Sequence, residues 1–352
     1  MDSTYIEHTA SQLLPVNRFG LQSTIGITFG IETKDTSANM LTFSLQKRTN
    51  ITGKFSDDAF RLGFQGNTQF KGEEAEFSGT RFSALSWTQL KIGYVSKESE
   101  NTHISVAFSG IIGNSYNEGI VHYGKLFTDS QGLFLDGSVA ADYYSSDTAN
   151  QSAFAVNGFG TSVDIGWNYV QKLKKGSAYY KVEFMDFGFI NWNSKTIHQY
   201  TDTTFHYSGI DISQMFINQN YVVDLPEAND FIKQDTGETS RSTFLPAVIR
   251  ASYQRNSADY RVFVKATAAI PVWSYALPYG SILAGYKFQK AKLQTTAGVA
   301  YGGYARLQVP FKLQTWVIKN ATIELGTPNV LSFIKPDTFS GSGAYVKLNY
   351  CF

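Results

Sequence analysis

The chain carries five histidines, at His8, His103, His122, His198 and His206. Imidazole is the side chain most readily recruited for proton transfer or metal binding near neutral pH. None of the five stands in an HExxH or HxH arrangement, so no zinc-ligand spacing is present. His103 shares one face of an extended stretch with Ser105, but no nucleophile elbow or oxyanion motif accompanies them, and the pair reads as two polar residues of one strand. Asn157-Gly158-Phe159-Gly160 lacks the spaced glycines of a dinucleotide loop. A single cysteine, Cys351, leaves no internal disulfide and no cysteine-based metal set. These residues predict a non-enzymatic protein with no cofactor.

The remaining candidates are charges set singly into alternating segments: Glu32, Lys91, Asp164, Glu183, Arg261, Lys265, Lys292 and Lys347. Arg261, Lys265, Lys292 and Lys347 on an inward face would form a basic stripe that selects anions, as charged rings do in pores. The alternative is pairing with Glu32, Asp164 and Glu183 across an interior. Pairing is favoured by the net charge of +1, from 30 basic and 29 acidic residues, and by the cost of an unpaired interior cation. Neither a charge bias nor a Lys/Arg-rich run argues for a nucleic-acid partner.

The segments that hold these charges alternate with period two, as extended strands do. Leu21, Ser23, Ile25, Ile27, Phe29 and Ile31 face away from Gln22, Thr24, Gly26, Thr28, Gly30 and Glu32, and the pattern recurs in 88–97, 102–110, 161–171, 260–265 and 293–301. Between them lie loop-like clusters at 34–39, 96–101, 145–151, 174–177 and 235–242. The uncharged stretch 266–286 is interrupted by Pro271, Pro278 and Gly280, which predicts two strands around a turn rather than a membrane helix. Ser56 followed by Asp57 and Asp58 predicts a short helix over 56–63.

Charged residues make up 17% of the chain, below the roughly 25% of soluble domains, and aromatics 15%. The second face of the strands is small or polar rather than charged, which suits a crowded or wet lumen better than the outside of a soluble sandwich. The mean hydropathy of −0.19 fits both, because a barrel averages its lipid-facing and lumen-facing residues. The expected fold is therefore all-β: a transmembrane antiparallel β-barrel of about 14 strands with few short helices. Residues 21–352 would form the barrel, preceded by an N-terminal segment, 1–20, that either enters the lumen as a hatch or extends as a tail. A signal peptide is not present in residues 1–20, so export would require a leader outside this sequence.

The C-terminus, with Val346, Leu348, Tyr350 and Phe352 on one face, resembles the signal by which bacterial outer-membrane barrels are recognised by their assembly machinery. Met185 to Asn193 (MDFGFINWN), the stretch 205–211, Thr243 to Ala247 (TFLPA) and Pro328 to Asp337 (PNVLSFIKPD) resemble segments of Bacteroidota outer-membrane barrels of unknown function. These are similar in outline to the fatty-acid-transporter-like barrels, which include PorV, a shuttle component of the type IX secretion system. The resemblance implies residence in outer-membrane lipid and binding to a larger secretion-translocon protein as an accessory subunit. The rival implication is a conduit for hydrophobic small molecules. No fatty-acid-site motif is found, so ligand specificity is not carried over.

Overall fold

The computed structural model describes residues 3–33, 39–208, 234–316, 321–335 and 341–350. β1 (Asn17–Glu32) and β2 (Met40–Phe55) pair along their whole lengths, Asn17 opposite Phe55 and Glu32 opposite Met40. The strand β2 is followed in the wall by β4 (Arg81–Lys97) and then β5 (Thr102–Thr128), while the short β3 (Glu74–Glu76) continues the line of β4 along β5. The next position is shared by β6 (Leu135–Ser145) and β7 (Gly158–Lys172), with the long β8 (Ser177–Tyr207) beside both. Then β9 (Gln234–Phe244) and β10 (Ala247–Asn256) share one position against β8.

The wall continues through β11 (Val262–Val272), β12 (Leu277–Phe288) and β13 (Leu293–Gly303). It goes on to β14 (Arg306–Gln308) and β15 (Phe311–Thr315), collinear across Val309-Pro310, and to β16 (Ala321–Thr327) and β17 (Tyr345–Tyr350). Every ladder between the described strands is antiparallel. Because four positions hold two segments each, the seventeen strand segments among the described residues occupy thirteen places in the wall, close to the expected fourteen.

The sheet is rolled. Thr52 of β2 accepts a hydrogen bond from the Tyr304 hydroxyl (2.6 Å), and the backbone N–H of Tyr275 donates to Thr52 (3.2 Å), joining residues on opposite sides of the wall. Gly20 makes this approach feasible, since a β-carbon there would lie 2.1 Å from the Tyr304 ring. Strands β1 and β17 run in the same direction, and no ladder joins them among the described residues.

One end of the barrel has tight turns at 98–101, 173–176, 257–261 and 289–292. At the other end stand α1 (Ser3–Ser11), α2 (Asp57–Gln65), α3 (Leu331–Ile334) and the upper halves of β5 and β8. Short turns at one end and long excursions at the other are the asymmetry of outer-membrane barrels. The expected helix near Ser56 is α2, and the Ser56 hydroxyl caps it by accepting from the N–H of Ala59. No described helix is long and apolar enough to cross a membrane.

Two expectations are corrected. The boundary at residue 20 falls inside a strand, because β1 begins at Asn17 and its first four residues already find ladder partners in β2. Before it, α1 rests on α2, with Arg61 donating to the Ala10 carbonyl at 3.2 Å. The loop-like cluster 235–242 is strand: its polar residues pair with β8 from Asn191 to Tyr200, on the part of the sheet that rises beyond the apolar band and can be polar on both faces.

That band is the outward face. Ile25, Ile27, Leu45, Leu90, Phe108, Ile165, Ile282 and Val299 are each about half exposed or more. It is bounded toward the tight turns by Tyr169, Tyr180 and Tyr253, with Tyr180 in ring contact with each of the other two across three strands, and toward the long-loop end by Phe159, Phe189, Phe244 and Trp273. Phe159 and Tyr169 lie ten residues apart on β7. At 3.3 Å per residue and the tilt usual for such barrels this is about 25 Å, the height of a lipid-facing apolar girdle.

Candidate functional site

Inside the wall, β2, β4, β5, β7 and β8 bring one ionic network together. The Arg48 guanidinium meets the Asp186 carboxylate at 2.7 Å, and Lys91 bonds Asp164 and reaches Asp186 at 3.4 Å. The fully buried Gln89 donates to the hydroxyls of Ser109 (2.9 Å) and Ser162 (3.2 Å) and to Asp186 (3.3 Å). Asp186 owes its inward position to a bulge between β7 and β8, where it adopts φ of 60° and donates its N–H to Asp164 at 2.7 Å. Phe184 and Phe187, in ring contact, flank this bulge. Two cations and two carboxylates make the network formally neutral.

Beyond it toward the long-loop end the interior is packed. Leu85, Trp87, Ile111, Tyr116, Ile190, Trp192 and Leu245 form a buried cluster, with Tyr116 and Trp192 stacked at 5.2 Å and the Trp192 indole N–H on the Thr243 hydroxyl at 2.8 Å. Arg241 covers this cluster, lying on the Tyr144 ring at 3.6 Å and bonding Tyr116 and Glu118. Burial, with Glu118 adding to it, keeps the Tyr116 hydroxyl protonated well above its ordinary range.

The outward face holds a groove of about 750 Å³ across β7–β14. Its floor is small, made of Ala251, Ala266, Ala268 and Gly280 on adjacent strands. Trp167, Tyr180 and Tyr253 stand along one side; Ile282, Val299 and Tyr301 stand along the other. Aromatic side chains beside glycine and alanine leave a depression where a barrel wall would otherwise be convex. Its lining is almost wholly apolar.

The charges singled out in the sequence divide by position. Lys91 and Asp164 meet in the ionic network, and Glu183 lies 2.7 Å from Lys181 and 3.9 Å from Arg250. Lys265 and Lys347 are on inward positions of β11 and β17. Arg261 and Lys292 are not in the lumen: they sit in the turns 257–261 and 289–292, Arg261 3.6 Å from Asp259 and Lys292 at φ of 49°. Counting in twos through a turn misplaced them, because alternation holds only while the chain is extended. Glu32 is the exposed last residue of β1. Val346 and Leu348 are 74% and 68% exposed on the outward face. The Tyr350 side chain and Phe352 lie outside the described residues.

Three histidines missed as a group flank one strand. His122 and His198 bond the two oxygens of Asp142 at 2.6 and 2.5 Å, and His206 bonds Asp136 at 2.6 Å, so both aspartates of β6 are held from neighbouring strands. No single segment announces them, since the partners are 20 to 70 residues apart. Among the described residues no group of three or more such side chains could hold a metal ion.

Comparison with family descriptions matches residues 2–328 to a family of unknown function, DUF5723. Comparison with curated protein sequences gives no match. Among solved structures the chain is similar to the toluene transporter TodX of P. putida, at 12% identity and a TM-score of 0.42 over 91% of this chain and 84% of that one. It is also similar to a TodX deletion mutant described as a monoaromatic hydrocarbon channel (12% identity, TM-score 0.45, 93% and 88% covered). A third similar chain is the Ralstonia pickettii toluene transporter TbuX (9% identity, TM-score 0.42, 97% and 91% covered).

Proposed function

We propose that this chain, which belongs to the DUF5723 family of unknown function, is an outer-membrane β-barrel serving the passage of hydrophobic small molecules, and that it is not an enzyme. The observation that carries this reading is the outward groove: an apolar depression with aromatic sides, set within the height of the lipid-facing band. Apolar pockets with aromatic linings are the usual form of small-molecule sites. A hydrophobic molecule already dissolved in the bilayer reaches such a groove without crossing water. The packed cluster around Trp192 and the ionic network around Asp186 fill the interior along β4, β5 and β8. The similar barrels are described as carrying toluene and monoaromatic hydrocarbons, but that likeness is one of outline, and the reading rests on the groove.

The experiment is binding of the hydrophobic fluorophore N-phenyl-1-naphthylamine to purified barrel in detergent, compared with Gly280→Phe. A β-carbon added at Gly280 meets nothing within 4 Å, so the larger side chain enters the groove rather than the wall. The reading predicts saturable binding by the parent barrel and its loss in the variant. Undiminished binding by a folded variant would remove the groove from the account.

A partner-binding role, as an accessory subunit of a type IX secretion assembly, stands as a second proposal. The small-residue floor of the same groove would also accept an apolar segment of a larger membrane protein. Native mass spectrometry of the barrel extracted in mild detergent separates the two. A stoichiometric large protein favours the partner, and a lone barrel carrying apolar ligand favours the conduit.

A further inference from the structure

The inner wall from β8 to β17 carries a basic side chain at each of five successive inward levels. Nearest the tight turns, one cross-strand row contains Lys287, Gln294, Gln314, Glu324 and Lys347. The next level has Lys312 opposite Thr296, the third has Lys265 opposite Gln254 and Leu283, the fourth has Lys181 opposite Ser252, and the fifth has Arg250 opposite Glu183. Successive levels are two residues apart, about 7 Å along a strand. Among the described residues the only acidic ones on these levels are Glu324 at the first and Glu183 at the fifth.

The acids are also the more covered partners. Glu183 and Glu324 are 18% and 20% exposed, against 44% for Lys181, 42% for Arg250 and 35% for Lys312. Lys265, at the middle of the series, has no ion-pair partner among the described residues. The contrast with the neutral network on β2–β8 is sharp: there two cations meet two carboxylates, and here the interior is left facing cations.

We propose that this series of lysines and Arg250 is an anion path through the barrel, in which small inorganic anions pass from one basic side chain to the next. Low-dielectric walls lined by one sign of charge concentrate the opposite ion, and several weak sites in sequence let it both enter and leave. The proposal rests on the barrel spanning a membrane but not on the groove, which lies on the other side of the wall.

The test is ion selectivity of the purified barrel in planar lipid bilayers under a potassium chloride gradient. The parent barrel should show a reversal potential displaced to the chloride side. Lys265→Gln should reduce that displacement and Lys265→Glu should carry it toward potassium, while Arg261→Gln, in a turn, should leave it unchanged. Gly280→Phe should not move it, so failure of the groove reading and failure of the anion path are separable. Cation preference in the parent, an unshifted potential in a folded Lys265→Glu barrel, or no conductance at all would each overturn the proposal.

Discussion

Replacing Asp186 by alanine removes one partner from the ionic network that ties β2 and β4 to β7 and β8. Asp186 accepts from Arg48 at 2.7 Å, Gln89 at 3.3 Å and Lys91 at 3.4 Å, and its side chain is only 12% exposed. Truncation would leave Arg48 and Lys91 with Asp164 as their one remaining carboxylate in the network. Breaking a buried pair by deleting one member costs about 3–5 kcal/mol, and the 20% exposure of Arg48 places this case at the lower end, about 3 kcal/mol. Part of the loss is backbone, since φ of 60° suits Asp better than Ala. Asp186→Asn keeps that tolerance and should cost less. Urea unfolding in detergent, followed by tryptophan fluorescence, measures it; Trp87 lies 5.0 Å from the Arg48 guanidinium and reports on the site directly. A double-mutant cycle with Arg48→Met should return a coupling of about 0.5–3 kcal/mol. A cost below about 1 kcal/mol for Asp186→Ala, or no coupling, would refute the claim that the network holds the wall together.

Trp192→Ala should cost about 3–5 kcal/mol in the same assay, because it empties the centre of the buried cluster and removes the stack on Tyr116. Gly20→Ala should cost about 1–3 kcal/mol by displacing Tyr304 from Thr52, and Tyr304→Ala should suppress that penalty. Asp142 stands above the apolar band; burial raises its carboxyl, but hydrogen bonds from His198 and His122 outweigh this and hold it below the usual carboxylate range. Its contribution is therefore full above the ordinary carboxylate titration and is lost as the pH falls through the lowered value. Limited proteolysis should show the β5–β6–β8 extension loosening in acid, and Asp142→Asn should abolish that dependence.

The fold was legible where each residue's environment repeats every second position. Leu21 to Glu32 and Thr161 to Gln171 read as strands and are strands, and the prolines at 271 and 278 marked the β11–β12 turn. The same rule failed at 235–242, where a strand in water needs no apolar face, and at Arg261 and Lys292, where counting ran through turns. Lys91 and Asp164 were legible as inward charges, but their partner Asp186 was not, since it reaches the interior only through a bulge that breaks alternation. The groove was out of reach for another reason: its floor joins Ala251, Ala268 and Gly280 from three strands, and only register places them side by side.

The central claim, that an apolar molecule occupies the outward groove, is tested most directly by crystallising the barrel with bromobenzene and locating bromine by anomalous diffraction. The account predicts a peak over Ala268 and Gly280, between Tyr253 and Tyr301. Bromine bound at an ordered site elsewhere, with that groove empty, would contradict it.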